Sequence, residues 1–258
     1  MPKSIKEIGE TIVSAGKLQY RPICVYGTDE VPKGAVQVSS IIRQGHRCLA
    51  KTLLKMAIHD EIPPVYIGDK ALNGCCVGAA SSLGFTTFPK SMRDLMSAES
   101  KTDESMFLKA SDAVSDKTIE NLGKITPPGK YVVMEPCADA DDRAHDIKSV
   151  LCFGNAEQIR NLCGLIHFST TDPFGSIIAP WGPHCAVFVA YPAGMAEKAP
   201  KNTAFIGPTE PDGNDWFPED LLSLSMPISM ARQMSKDYEK SFATKRPEVT
   251  YAVKKELL

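Results

Sequence analysis

The chain has 258 residues, of which 43% are hydrophobic and 23% charged, and its formal net charge at pH 7 is −2. This balance excludes the basic footprint of a nucleic-acid-binding protein, so no nucleic-acid partner is expected. The longest apolar run, CAVFVAY from Cys185, is far shorter than the roughly 20 residues of a membrane-spanning helix, so no membrane partner is expected either.

The first sixteen residues do not have the pattern of an export signal. Lys6, Glu7 and Glu10 interrupt every apolar stretch there, which favours a cytoplasmic protein. In a reducing cytosol the eight cysteines favour metal binding, redox chemistry or burial over a disulfide framework. Because hydrophobic cores stop growing at roughly 250 to 300 residues, we expect one domain over residues 1–258.

The first third of the chain alternates helical and strand-like patterns. Apolar spacing predicts helices over 5–18 and from Gly45 onward, with Cys48 opening the second helix. Short apolar runs predict strands over 22–26 and 63–68. Cys24 lies inside the first of these strands, where a buried core thiol is expected.

The remainder continues this mixture. Asn73-Gly74 predicts a turn before a run of small residues, and residues 91–122 are polar and helix-forming. An internal boundary is expected near 124–130 and an exposed tail over 243–258. Strands are predicted over 131–134, 146–153, 176–179, 203–206 and 221–226, with helices over 156–168 and 231–242. The irregular gaps between strands predict a mixed β-sheet flanked by helices, of α/β to α+β class.

The common catalytic fingerprints do not occur. The sequence has no Walker loop, no G-x-G-x-x-G after a strand, no H-E-x-x-H and no G-x-S-x-G. It also has no C-x-x-C, so thioredoxin-like redox chemistry and zinc ribbons are poorly supported. A metal site would therefore assemble from distant segments.

Three cysteines, Cys48, Cys76 and Cys185, each stand at the start of a predicted helix. The partial positive charge of a helix N-terminus lowers the pKa of a thiol. We therefore expect helix N-termini to help hold these sulfurs ionised. The alternative is that all three are small buried residues.

The surroundings of these cysteines resemble domain of unknown function family 169, the ArCR family of archaea and anaerobic bacteria. The likeness consists of a cysteine before a short helix, a cysteine before a small-residue helix and L-G-F, and a late cysteine before small and apolar residues and a proline. The matching positions are Cys48, Leu49 and Ala50; Cys76, Gly78, Ala79, Ala80, Leu83, Gly84 and Phe85; and Cys185, Ala186, Val189, Ala190 and Pro192. The turn at Gly154-Asn155-Ala156 with Gln158, and the strand from Ser223 to Pro227, are also similar to the family.

The resemblance implies a triad formed by Cys48, Cys76 and Cys185. The chain departs from the family pattern in two places. Gly207-Pro208-Thr209 lacks the arginine of the family's G-x-R turn, which puts an anion contact in doubt, and Cys75 is an additional cysteine beside Cys76. The spacing to Gly78 and Leu83 favours Cys76 over Cys75.

Three converging thiolates match soft metals. An iron–sulfur cluster, expected to be 4Fe-4S, with three cysteine ligands would leave one iron open for substrate. Zinc is the alternative metal, in a Cys3His site that could use His46 or His184, and a protein without metal is the third alternative. The same histidines are candidate acid–base groups because imidazole titrates near neutrality.

Two further features suit an organic ligand or a cation. Gly78 and Ala79, with Trp181 and Trp216 in Pro- and Gly-rich loops, could contact a flat organic cofactor. The aspartate-rich run over 138–146 lacks the glycine and glutamate of an EF-hand and is interpreted as a solvated loop.

The leading hypothesis is a cytoplasmic, oxygen-sensitive iron–sulfur protein that acts on a small organic substrate at the open iron and is served by an electron donor. A binding or carrier module for a tetrapyrrole or flavin is one alternative, and a metal-free enzyme with a cysteine nucleophile is the other. A homo-oligomer is compatible with each of them.

Overall fold

A computed structural model of the chain describes residues 3–41, 48–68, 75–103, 105–141, 146–211 and 216–250. Its α-helices are α1 (Ile5–Gly16), α2 (Val38–Ile41), α3 (Leu49–Ile58), α4 (Val77–Ser82), α5 (Lys90–Met96), α6 (Asp112–Glu120), α7 (Ala156–Ile166), α8 (Ile228–Asp237), α9 (Phe242–Lys245) and α10 (Pro247–Thr250). A π-helical turn spans Ala186–Ala190, and 3₁₀ turns span His167–Ser169 and Tyr238–Lys240. No described helix has both the length and the apolar character needed to cross a membrane.

One eight-stranded sheet forms the centre of the fold, in the order β2-β3-β4-β1-β5-β8-β7-β6. The strands are β1 (Ile23–Thr28), β2 (Val36–Gln37), β3 (Val65–Gly68), β4 (Tyr131–Pro136), β5 (Ile147–Asn155), β6 (Ile177–Ile178), β7 (Ala204–Gly207) and β8 (Leu221–Pro227). The two outermost pairs are parallel and the five inner pairs antiparallel. This confirms the predicted mixed sheet flanked by helices, and strands from both sides of 124–130 belong to it.

Helical segments cover both faces of the sheet. On β1, Ile23 and Val25 point into a core shared with α3, α4 and the π-helical turn, whereas Cys24 and Tyr26 point into a core shared with α1, α7 and α8. Burial on both faces explains why the central strands have continuous apolar runs instead of alternating polar and apolar residues. Cys24 is fully buried, as predicted.

Several boundaries differ from the predicted ones. The polar segment over 91–122 contains two short helices, α5 and α6. An isolated β-bridge pairs Ser97, which follows α5, with Lys109, which precedes α6. Strand β2 has two residues and is too short to produce a periodic pattern in the sequence. Helix α8 begins at Ile228 and ends at Asp237, earlier at both ends than predicted.

The C-terminal tail is described as far as residue 250. Ala243 is buried in α9, whereas residues 245–247 and 249 are exposed. Residues 251–258 and the predicted turn at Asn73-Gly74 lie outside the described residues.

Candidate functional site

A cavity of about 350 Å³ lies on the face of the sheet that α3 and α4 cover. Cys48, Cys76 and Cys185 all line it. These residues come from segments far apart in the chain. The structure therefore brings the three predicted ligand cysteines together at one cavity.

Cys48 and Cys76 occupy equivalent positions, each as the N-cap of a helix. The Cys48 sulfur accepts a hydrogen bond from the Lys51 N–H at 3.5 Å, and the Cys76 sulfur accepts one from the Ala79 N–H at 3.4 Å. Both cysteines have extended backbone conformations, as N-cap residues do. The prediction that these two residues open helices is confirmed.

Cys185 stands directly before the π-helical turn Ala186–Ala190 but differs from the other two cysteines. The Ala186 N–H already bonds to the Pro183 carbonyl at 2.8 Å, and Cys185 itself has helical dihedral angles. Its position before a helical turn agrees with the prediction, whereas its side chain makes no capping hydrogen bond. The turn that follows is π-helical, a distortion that occurs frequently at functional sites.

Burial disfavours ionisation of the three thiols. Burial raises the pKa of Cys48 and of Cys76, and it raises that of Cys185 well above the ordinary value, with additional repulsion from Cys48 and Cys76. The N–H groups at the helix starts act in the opposite direction but do not outweigh burial. The helix N-termini therefore favour ionisation of these thiols, as expected, but burial has the larger effect on their pKa.

The Cys48 and Cys185 sulfurs share a backbone neighbour. The N–H of Ala50, in the first turn of α3, lowers the pKa of both thiols by hydrogen bonding. Only sulfurs that approach the same N–H can be influenced in this way. The two cysteines are thus close in space although they are far apart in sequence.

Aromatic residues surround the cysteines. His184 is 7% exposed and lines the cavity, with its ring centroid 5.5 Å from that of Phe188 and 5.7 Å from that of Trp216. Trp181 lines the cavity as well. The other candidate histidine, His46, lies outside the described residues.

The residues predicted to contact an organic cofactor reach the same cavity. Gly78 and Ala79 in α4 line it together with Trp181 and Trp216. A Cβ on Gly78 would stand 2.9 Å from the Met92 methyl group, so the Met92 side chain packs directly on this glycine. Residues predicted from the sequence therefore form two sides of the cavity.

A third side was missed. Met92, Met96 and Met106 line the cavity from the segment over 91–122, and Ser82 and Glu210 contribute polar groups. The available signal was the presence of methionines within an otherwise polar segment. Flexible, polarisable methionine side chains fill irregular apolar sites and are frequent at binding surfaces.

Two side-chain contacts hold this third side in place. Arg93 of α5 forms an ion pair with Asp116 of α6, with 2.6 Å between nitrogen and oxygen. The Lys109 ammonium lies 3.6 Å from the centroid of the Trp181 ring, a cation–π contact that ties the segment to the loop before Cys185. The segment is therefore a wall of the cavity and not an independent helical unit.

Within the part of the chain that the structure describes, no three or more His, Cys, Asp or Glu side chains are grouped so that they could hold a metal ion. Residues 142–145 of the aspartate-rich run over 138–146 lie outside the described residues. The thiols that line the cavity are free cysteines.

Comparison with known proteins identifies a family. The family model of domain of unknown function family 169, described as uncharacterised ArCR, matches residues 11–237. That range contains all three cavity cysteines. Neither the curated proteins nor the solved structures include a match to this chain. The resemblance noted from the cysteine motifs is confirmed, and the chain belongs to the ArCR family.

Proposed function

We propose that this protein binds an iron–sulfur cluster through Cys48, Cys76 and Cys185 and acts on a small organic molecule in the adjoining cavity. The observation that carries the proposal is the convergence of these three thiols on one cavity. Lone buried cysteines are common as small core residues, but three from separate segments facing one cavity are not explained by packing alone.

The chemistry of the donor set fits a soft metal. Thiolates prefer iron–sulfur clusters, zinc and copper(I) over hard cations. Three sulfurs around one tetrahedral zinc ion would stand about 3.8 Å apart, as follows from Zn–S bonds of about 2.3 Å. In a cluster each thiolate binds its own iron, which does not require the sulfurs to surround one ion. We therefore propose a cluster, with 4Fe-4S as the expected type.

A bound cation would also reverse the electrostatics of the thiols. Burial raises the pKa of all three thiols, with added repulsion from neighbouring thiols at Cys48 and Cys185, and a coordinating metal would remove the proton outright. The N–H groups of Lys51 and Ala79 would then donate to thiolates. Such hydrogen bonds to cluster sulfurs are one of the factors that set the reduction potential.

With Cys48, Cys76 and Cys185 as its protein ligands, a cluster would keep one iron open and could supply a Lewis acid for a substrate. His184 lies beside Cys185 and lines the same cavity, so it is placed to give or take a proton. Tyr191 also lines the cavity, and burial raises its pKa to about 12, which keeps its hydroxyl protonated at neutral pH. That hydroxyl donates to the Trp181 carbonyl at 3.3 Å and supports the aromatic loop.

The other two candidate functions are less well supported. A cysteine nucleophile needs a lowered pKa, and the cavity thiols have raised values. A tetrapyrrole or flavin needs a large pocket, whereas about 350 Å³ lies near the lower limit of organic-ligand pockets, roughly 300–1,000 Å³. A small substrate beside a cluster agrees better with this volume.

The test is anaerobic purification followed by iron and sulfide analysis and visible and paramagnetic resonance spectroscopy. Purified wild-type protein is expected to contain iron and sulfide and to show thiolate-to-iron absorption. Cys48→Ser, Cys76→Ser and Cys185→Ser should each lose most of the iron, because the cluster would keep two ligands at most.

Cys163→Ser provides the matched control. Cys163 is half-buried like Cys48 and Cys76 but belongs to α7 on the opposite face of the sheet. This variant should keep the wild-type iron content. Iron-free wild-type protein after anaerobic purification and reconstitution, or equal iron loss in the control, would refute the cluster.

A further inference from the structure

The walls of the cavity are apolar and polarisable. Met92, Met96 and Met106 form one side, and Trp181 and Trp216 are the only two tryptophans of the chain. Thioethers and indole rings make favourable contacts with the faces and edges of aromatic rings. The composition of these walls suits a flat ring system.

The charges around the cavity are balanced. Glu210 is buried and is the one carboxylate among the described lining residues, which include no lysine or arginine. Its charge acts on Lys109, whose ammonium lies over Trp181. Anionic ligands are usually recognised by arginine or lysine, and the described lining offers neither. The cavity therefore favours a ligand without net charge.

From these two observations we propose that the cavity binds an uncharged aromatic molecule, with the ring between the methionine and tryptophan walls. That such a molecule is the substrate of this protein rests on the proposed function. It is a statement about binding and requires no reaction step.

A series of three probes separates charge from shape. We would titrate the anaerobically purified full-length protein at neutral pH with 2-naphthol, 2-naphthoate and 2-naphthylmethylammonium, which are neutral, anionic and cationic. Binding would be measured by calorimetry, with the fluorescence of the two tryptophans as a second signal. We expect 2-naphthol to bind at least about tenfold more tightly than either ion, as burial of an unpaired charge predicts.

A pair of neighbouring variants tests the position of the ligand. Met106→Glu should abolish binding, and its neighbour Phe107→Glu, at a side chain that is 68% exposed, should not.

The possible failures are distinguishable. Absence of 2-naphthol binding, tighter binding of either ion, or unchanged binding in Met106→Glu would overturn the inference. If Met106→Glu does not fold, the comparison of the three probes on the wild type decides. Iron is measured on the same samples, so the two proposals can fail separately. An iron-free protein that binds 2-naphthol would refute the cluster and support the aromatic-binding cavity. A protein that contains iron but does not bind 2-naphthol would support the cluster and refute the aromatic-binding cavity.

Discussion

Cys75 and Cys76 are adjacent, but their sulfurs have different surroundings. The Cys76 sulfur lines the cavity and accepts the Ala79 N–H, whereas the Cys75 thiol donates to the Cys76 carbonyl at 3.3 Å. Burial raises the pKa of Cys75 to about 12. A thiol that already donates to a carbonyl is poorly placed to act as a thiolate ligand. The preference for Cys76 that the sequence spacing indicates therefore has a structural basis.

This difference predicts opposite effects of two neighbouring substitutions. Cys75→Ala should retain the wild-type iron content and lower the free energy of unfolding by about 1 kcal/mol, the scale of one lost buried group. Cys76→Ala should lose most of the iron. Iron analysis and urea unfolding of both variants provide the measurement. If Cys75→Ala lost its iron and Cys76→Ala kept it, the ligand would be Cys75 and the assignment to Cys76 would be wrong.

At the scale of elements, helix α7 shows how local sequence fixes a boundary. Asn155 accepts the Gln158 N–H at 2.9 Å, and the Gln158 side chain accepts the Asn155 N–H at 2.9 Å, which is a complete capping box. The Gln158 amide also donates to the Lys17 carbonyl at the end of α1. This one cap thus joins two helices on the face opposite the cavity.

We expect Asn155→Ala to lower the free energy of unfolding by about 1 kcal/mol, within the range of 0.5–2 kcal/mol for N-cap removal. Asn155→Asp should retain most of the stability, because a carboxylate can accept the same N–H groups. Urea unfolding followed by circular dichroism measures both. Equal losses in the two variants would show that the cap contributes through something other than its acceptor oxygen.

Structure that depends on residues close together in the sequence was predictable, and structure that depends on distant contacts was not. Asn155 and Gln158 are three residues apart, so the turn into α7 was predictable from local chemistry. The break between α5 and α6 depends on the bridge between Ser97 and Lys109, which no local pattern encodes. For the same reason the sequence did not reveal that Met92, Met96 and Met106 line the cavity, because they reach it only once the segment over 91–122 has folded against the rest of the protein.

At the scale of the whole molecule, the sheet separates two cores with different roles. One face carries the cavity and its three thiols, and the other carries Cys24, Cys137 and Cys152 in tightly packed surroundings. Composition alone could not sort the eight cysteines into these groups. Family resemblance singled out Cys48, Cys76 and Cys185, and the topology of the sheet explains why segments so far apart meet on one face.

The buried thiols of the second core make the stability of the fold dependent on pH. Cys152 is fully buried, and burial raises its pKa from 9.0 to about 12. Because the folded state holds the proton more tightly than the unfolded state, the stabilisation is fully present below about pH 9. It is lost progressively as the pH rises from about 9 towards 12, since the unfolded chain ionises first.

One substitution isolates this contribution. The free energy of unfolding of the wild type should fall between about pH 8 and about pH 10 by roughly 1.4 kcal/mol more than that of Cys152→Ala, the value for one proton over one pH unit. Ser149→Ala, three residues earlier on the same strand, should keep the wild-type dependence because it removes no titrating group. Urea unfolding at both pH values under reducing conditions measures the three proteins. An unchanged pH dependence in Cys152→Ala would mean that the thiol ionises equally in the folded and unfolded states, contrary to its burial in the core.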